Sequence, residues 1–310
     1  MARLIQLSLM VAFGLATSAH IAVAQRTVAL IGDLQHKGII EFFREDNSVG
    51  EKKLIEQLSK EPIEHAMLLG DLTFWGFSVF EWAEYDEVMS PLTEKNVSLF
   101  PVLGNHEYFV SLQWCNPFLK KRFPWWDQSW YTKVIDSVAY VMLNTNSSDI
   151  DFATMKEQYR WYLTTMRDLD RADSVSFIVV CGHHPPYTNS TTVEPEDIFE
   201  KYFVPRFKKS RKGAFWFSGH CHGYERFISD GKNFIVSGGG GGPRQEIATG
   251  SSATFDDQYD GPSIRPLHYC LLQRNGYSLT MNMVPLKEAV TMNVKRDSIT
   301  YHLPMQLASE

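Results

Sequence analysis

Leu99-Phe100-Pro101-Val102-Leu103-Gly104-Asn105-His106-Glu107 decides how the rest of this chain is read. A short apolar run predicts a buried strand, stops at a glycine, and hands over to an amide, an imidazole and a carboxylate. Such an ending puts polar chemistry at the rim of a sheet, where side chains can converge on something small. Four other stretches end the same way. Val28 to Gly32 runs into Asp33, and Met67 to Gly70 runs into Asp71. Phe177 to Gly182 runs into His183-His184, and Phe215 to Gly219 into His220-Cys221-His222. One Gly-Asp is usually a turn. Five strand endings that all finish in metal-type ligands form a constellation.

Outward from that stretch, strands and helices alternate through the first half of the chain. Thr27 to Ile31 predicts a strand, and Gly50 to Lys60 carries Leu54, Ile55 and Leu58 at helical spacing before Glu61-Pro62. Ala66 to Leu69 predicts the next strand. Ser78 with Glu81 forms a capping-box pattern, opening a helix with Trp82, Tyr85, Val88 and Met89 that is expected to end at Pro91. Val97 to Leu103 closes the series. This is the grammar of parallel strands with crossover helices, so Asp33, Asp71 and Asn105 are expected at the carboxyl ends of neighbouring strands.

Tyr108 to Tyr131 departs from the pattern, scattering Trp114, Trp125, Trp126 and Trp130 among turn residues. This aromatic-rich insertion, at 108–131, reads as a lid or substrate wall, or as a loop laying its rings on the core. Val134 to Leu143 predicts one strand, and Asp151 to Leu169 a helix with Phe152, Met155, Tyr159, Leu163 and Met166 on one stripe. Glu194 to Phe207 has helical register broken by Pro205. Strands at Ser176 to Cys181, Ala214 to Ser218, Phe234 to Ser237, Tyr269 to Gln273, Leu279 to Val284 and Ile299 to Leu303 fill much of the second half. One continuous domain over 25–310, an α/β arrangement of two packed sheets with helices outside each, fits this order. Gly238 to Gly242 suits either a close backbone approach to a ligand or a flexible surface loop. It is not a phosphate loop of the Lys-Ser/Thr type, because neither that pair nor a helix follows.

The 310 residues are 44% hydrophobic and 13% aromatic, with a formal net charge of -6, and the isoelectric point is about 5.9. No basic run is longer than a pair or triplet, so a nucleic-acid partner is not expected. Arg3, the uncharged run Leu4 to Ala24 and the triplet Ala22-Val23-Ala24 have the pattern of a secretory signal peptide over 1–24, removed on export. No later stretch is apolar for long enough to span a bilayer, and a secreted or periplasmic protein is expected. Cys115, Cys181, Cys221 and Cys270 do not make a disulfide scaffold in a chain this long. Asn96, Asn146 and Asn189 head glycosylation sequons in a host that uses them.

Asp33, Asp71, Asn105, His183, His220 and His222 mix carboxylate, amide oxygen and imidazole, a set that suits Fe, Mn or Zn. His220-x-His222 on an extended segment would point both rings the same way. Two cations about 3.5–4 Å apart share a ligand, and Asp71, in the middle of three strand ends, is the natural bridge. A water held by both would be deprotonated near neutral pH and attack a phosphoryl group. His106 is not needed as a ligand and is left to stabilise the transition state or to protonate the leaving oxygen.

The five blocks Gly32-Asp33, Gly70-Asp71, Gly104-Asn105-His106-Glu107, Gly182-His183-His184-Pro185 and Gly219-His220-Cys221-His222 resemble those of the calcineurin-like metallophosphoesterases. The resemblance implies a four-layer αββα sandwich and hydrolysis of phosphate esters. It implies one metal held by Asp33, Asp71 and His222 and another by Asp71, Asn105, His183 and His220, with His106 as the nearby acid. His184 resembles the second histidine of the family's His-His-Pro-Pro form and would touch substrate or support the ligand loop. Many members carry histidine two residues after the first aspartate, where this chain has Gln35. The Gln35 amide oxygen would replace it, or His36 would bend inward, or the first metal would be held by fewer protein ligands. The similar purple acid phosphatase branch has tyrosine three residues after the middle aspartate; Phe74 stands here, so no iron-tyrosinate colour is expected. The resulting expectation is a small phosphorylated substrate, with phosphomonoester hydrolysis ahead of a phosphodiesterase acting on a nucleotide or lipid headgroup. A non-catalytic metal-binding protein is the reading from another class.

Overall fold

An apolar strand buried on both faces needs two separate cores to receive it, and β1 (Thr27–Ile31) has them. Val28 and Leu30 pack into the layer between two sheets, while Ala29 and Ile31 pack beneath helices. The computed structural model describes residues 26–289, 294 and 296–304, so the expected leader lies outside the described residues. β1 runs parallel to β2 (Ile63–Leu68), and β2 parallel to β3 (Ser98–Pro101). The other edge of β1 pairs antiparallel with β10 (His268–Asn275), followed by β11 (Ser278–Pro285) and β12 (Asp297–His302).

The second sheet runs in the order β4 (Tyr131–Ile135), β5 (Val138–Met142), β6 (Phe177–Cys181), β7 (Gly213–Ser218), β9 (Lys232–Ser237) and β8 (Tyr224–Ser229). Its middle four strands are parallel. Helices α1 (Ser48–Leu58), α2 (Val79–Thr93) and α3 (Leu112–Arg122) cover the outer face of the first sheet with Leu54, Trp82 and Leu119. Helices α4 (Phe152–Arg171) and α5 (Val204–Lys208) cover the second with Tyr162 and Phe207. Two mixed six-stranded sheets between helical layers make the four-layer αββα sandwich. Because the parallel strands share a direction, their carboxyl ends lie along one edge.

Several local expectations are overturned, each for a visible reason. Pro91 does not end α2: it lacks the N–H for the Glu87 carbonyl, and the Ser90 hydroxyl donates to that carbonyl instead at 2.8 Å. The insertion is not irregular throughout. α3 lies within it, capped by Ser111, whose Oγ accepts the Gln113 N–H at 3.2 Å, and its Arg122 forks onto Asp86 at 2.6 and 2.7 Å. Val134 to Leu143 is not one strand. Asp136 and Ser137 take φ of 46° and 59°, a two-residue hairpin turn that separates β4 from β5.

The stripe expected on α4 is rotated. Asp151 caps the helix and leaves Phe152 81% exposed, while Gln158, Tyr162 and Met166 are buried. Gln158 can be buried because it exchanges hydrogen bonds of 2.7 and 2.9 Å with the Asn144 backbone. Pro205 does not break its segment either; it enters the first turn of α5 just after a π turn at Phe199–Phe203. β8 has no counterpart among the expected strands. All four cysteines are buried and free. Asn146 and Asn189 are buried, which leaves Asn96 as the exposed one of the three sequon asparagines. Among the described residues no helix is long and apolar enough to cross a membrane.

Candidate metal centre

The expected turns at the ends of β1, β2, β3, β6 and β7 meet along the shared edge. Each has to reverse within two residues. Gly70 does so at φ 90°, where a Cβ would lie 2.5 Å from His183 Nδ1 and 2.7 Å from the Gly104 nitrogen. Asp33, Asp71 and His220 themselves hold left-handed φ of 62°, 53° and 67°. Such conformations cost on the order of 1 kcal/mol each and persist only where the surroundings impose them. Here buried carboxylates do so. Asp33 accepts the His220 N–H at 2.9 and 3.1 Å. Glu107 accepts three N–H groups, from Asp71, Leu72 and Gly104, at 3.0, 2.8 and 2.7 Å.

Two ligand clusters result, the arrangement of a binuclear metal centre. Asp33, Asp71 and His222 bring one donor atom each within 4.8 Å of one another, and so do His183, His184 and His220. Asp71 joins them: its Oδ2 is 3.2 Å from His183 Nε2. The same Nε2 is 3.2 Å from Asn105 Oδ1 and 3.2 Å from His220 Nδ1. His183 Nδ1–H is spent on the Leu69 carbonyl at 2.7 Å and His222 Nδ1–H on the Pro243 carbonyl at 2.8 Å, which fixes each tautomer and turns Nε2 inward. The segment from His220 to His222 is bent rather than extended, because His220 is left-handed, and its two rings therefore go to different clusters.

Gln35 belongs to this group and His36 does not. Gln35 Nε2 lies 3.0 Å from His222 Nε2 and 3.3 Å from Asp71 Oδ2, and its buried Oε1 has no hydrogen-bond partner. A half-turn of the amide aims that oxygen at the ligand atoms. His36 points away and pairs with the buried Glu51, which, with Glu84 alongside, lifts its pKa to about 8 against the opposing effect of burial.

The charges ask for cations. Burial pushes the Asp33 carboxyl well above its usual range; His183 pulls against this and Asp71 adds to it. Burial acts on Asp71 in the same sense, but His183, His106 and His220 outweigh it and hold that carboxyl well below its usual range. Burial would lower His183, yet Asp71 and Asp33 lift it to about 9. Burial pushes His222 down to about 4 and His220 well below its usual value. Burial and the neighbouring His183 hold His184 at about 3. Facing carboxylates, inward imidazole lone pairs and an orphaned amide oxygen are a donor set that fits metal ions.

His106 stands beside the clusters. Its Nδ1 is 2.7 Å from the Phe74 carbonyl oxygen and its Nε2 is 3.8 Å from Asp71 Oδ2. The glycine run is buried against the centre, deciding for close approach: a Cβ on Gly238 would lie 2.7 Å from Asp33 Oδ2, and one on Gly242 2.6 Å from His222 Cε1. Sequence reasoning misses Thr145, whose Oγ1 accepts the N–H groups of His183 and His184 at 3.0 and 2.8 Å. A signal for it exists: β5 also runs out of an apolar stretch into Asn144-Thr145-Asn146, without a glycine to mark it. Glu107 closes the Gly-Asn-His-Glu block, and nothing in that spacing announces its service to the Asp71 turn.

Residues 26–224 match the calcineurin-like phosphoesterase family. The chain belongs to that family. It is similar to purple acid phosphatase 22 of Arabidopsis thaliana, with 23% identity over 185 residues, 56% of this chain and 41% of that one. A second Arabidopsis relative, named "Probable inactive purple acid phosphatase 9", is 32% identical over 108 residues, 34% of this chain and 16% of that protein. The fold is shared with a purple acid phosphatase from yellow lupin seeds at a TM-score of 0.72 and 17% identity, over 93% of this chain and 55% of the lupin one. This calcineurin-like chain thus spans about half or less of the length of those relatives.

Proposed function

We propose that the chain is a binuclear metal-dependent phosphoesterase that hydrolyses a phosphomonoester, with His106 as the acid. The observation that carries this is the pairing of two ligand clusters with one histidine outside both, whose Nδ1 is tied to a backbone carbonyl and whose Nε2 faces the bridge position. Asp33, Asp71, His222 and Gln35 would hold one cation; Asp71, Asn105, His183 and His220 the other, with His184 at their edge. When bound, the cations supply positive charge to the phosphoryl oxygens and acidify the attacking water. Glu107 keeps Asp71 in its left-handed turn, and Thr145 keeps the His183-His184 backbone in place. His106 Nε2–H gives its proton to the departing alcohol oxygen, and the Phe74 carbonyl holds the ring so that this atom points inward.

A monoester is favoured because the surface by His222 is closed by Gly238 to Pro243, which leaves the half-buried side of Asn105, His106, His184 and His220 for one organic group. A diester would need room for two organic groups. The reading includes export, supported by the pattern from Arg3 to Ala24. The test is a panel of phosphate mono- and diesters on protein of measured metal content. Monoester hydrolysis that disappears with chelation and returns with Fe, Mn or Zn is expected; loaded protein that hydrolyses no phosphate ester would sink the proposal.

A further inference from the structure

The ligand turns account for the polar side of the centre, and a different surface begins at His106. Its ring is flanked by Phe74 and Phe109, with centroids 4.7 and 4.6 Å away. Trp75 touches both of these rings, at 5.0 and 5.2 Å. Phe77 follows at 5.6 Å from Trp75, and Trp114 at 6.2 Å from Phe77. Phe74 is buried, Trp75, Phe77 and Phe109 are half-buried, and Trp114 is 60% exposed. A continuous aromatic path therefore leads from the acid out to solvent.

The path is fixed in place. The Trp75 N–H donates to the Glu81 carboxylate at 2.6 Å and Trp82 Nε1 to the Gly76 carbonyl at 2.7 Å, anchoring the segment to the first turn of α2. Glu81 thereby leaves the reciprocal capping bond that its spacing from Ser78 suggested. Among the described residues, none of the cation–π contacts falls on these five rings. Neighbouring rings of this shelf are tilted by 81°, 49°, 50° and 87°, so it offers apolar faces and edges in turn.

We propose that the alcohol of the natural ester carries a flat aromatic ring, which stacks on the shelf formed by Trp75, Phe109 and Trp114. The inference rests on the phosphoesterase reading, because His106 fixes the direction of departure. As the phosphorus–oxygen bond to the alcohol breaks and the water oxygen bonds to phosphorus, the alcohol oxygen takes the Nε2 proton of His106, which keeps its Nδ1–H on the Phe74 carbonyl and is reprotonated by the proton the attacking water gives up. The alcohol therefore leaves past the Nε2 edge of His106, and Phe74 and Phe109 are aromatic rings in contact with that imidazole. An exposed Trp114 at the end of that path gains contact when a second ring covers it.

The test uses metal-loaded protein and pairs of esters whose alcohols have similar acidity: phenethyl against ethyl phosphate, and adenosine monophosphate against ribose phosphate. Octyl phosphate serves as an apolar alcohol without a flat ring. The ring-bearing member of each pair is expected to have the higher kcat/KM, by roughly tenfold, with Phe109→Ala reducing both ratios and Trp114→Ala reducing that of the larger adenosine ester. Equal values within both pairs, an octyl ester preferred over phenethyl, or ratios unmoved by either variant would overturn the shelf while leaving phosphoesterase activity standing. If no ester is hydrolysed, phenylphosphonate and methylphosphonate binding, followed by tryptophan fluorescence, still decides. Tighter phenylphosphonate binding that Phe109→Ala weakens supports the shelf, and equal binding of the two overturns it.

Discussion

Two regions border the same centre and are held by opposite means. The ligand turns after β1, β2, β6 and β7 are pinned by buried polar atoms: three N–H groups on Glu107, one on both oxygens of Asp33, and two on Thr145. The aromatic side is fastened to the body at Trp75 and Gly76, and beyond that its rings lean on one another. A buried polar group needs a partner of the right kind in the right direction, whereas a ring needs area and a flat neighbour. The first region is thereby committed to one geometry. The second can change its residues and alter which substrate is preferred.

Substitutions can break this contrast, and the largest effect is expected at the bridge. Asp71→Asn should leave a folded protein that retains fewer than two metals and loses activity on the order of 10³-fold or more. His106→Ala, on the border between the regions, should keep both metals and lose roughly 10²- to 10⁴-fold in rate. Metal analysis beside turnover separates the two; full metal loss in the His106 variant would place it among the ligands.

Gln35 gives a smaller and sharper test within the polar region. Gln35→Ala should weaken one of the two metal sites by about 10- to 100-fold, while Gln35→His should hold metal at least as well as the parent. Chelator-competition titration reads both without reference to catalysis, and an alanine variant with unchanged affinities would remove Gln35 from the ligand set.

A further test concerns stability against pH. His268 lies under Gly239, bonded through Nδ1 to the Pro266 carbonyl at 2.9 Å and through Nε2 to Ser237 Oγ at 3.1 Å. Burial pushes its pKa from 6.5 down to about 4. The unfolded chain therefore takes up a proton before the folded one does. Its contribution is complete above 6.5 and is lost as pH falls toward 4, on the order of 3 kcal/mol across that window. Denaturant midpoints at about pH 7 and about pH 5 should diverge less in His268→Gln; an unchanged divergence would assign the acid sensitivity elsewhere. Trp114→Ala should leave that divergence as it is, since its ring rests against Phe77.

Much of the polar region is legible in the order of residues alone, because glycine followed by Asp, Asn or His after an apolar run has few other uses when it recurs five times. Thr145 is fainter, since the apolar run into Asn144-Thr145-Asn146 lacks the glycine that marks the other five turns. α3 is hidden by its aromatic neighbours and by Pro117, although Ser111 before it and Lys120 to Arg122 at its end are sound helix boundaries. The α4 stripe is misplaced by periodicity because Gln158, polar in sequence, is buried through bonds to Asn144, 14 positions away.

The sequence by itself determined the alternation of strands and helices, the five ligand turns and the residue types that converge on metal. It did so because periodicity and turn chemistry are local properties of a chain. Only the tertiary structure decided that Gln35 and not His36 faces the centre, that the glycine run is packed against Asp33 and His222, and that His106 opens onto a path of rings ending at Trp114. Those outcomes depend on which distant backbone atoms satisfy a buried side chain and on which rings share a surface, and neither is written in the spacing of neighbours.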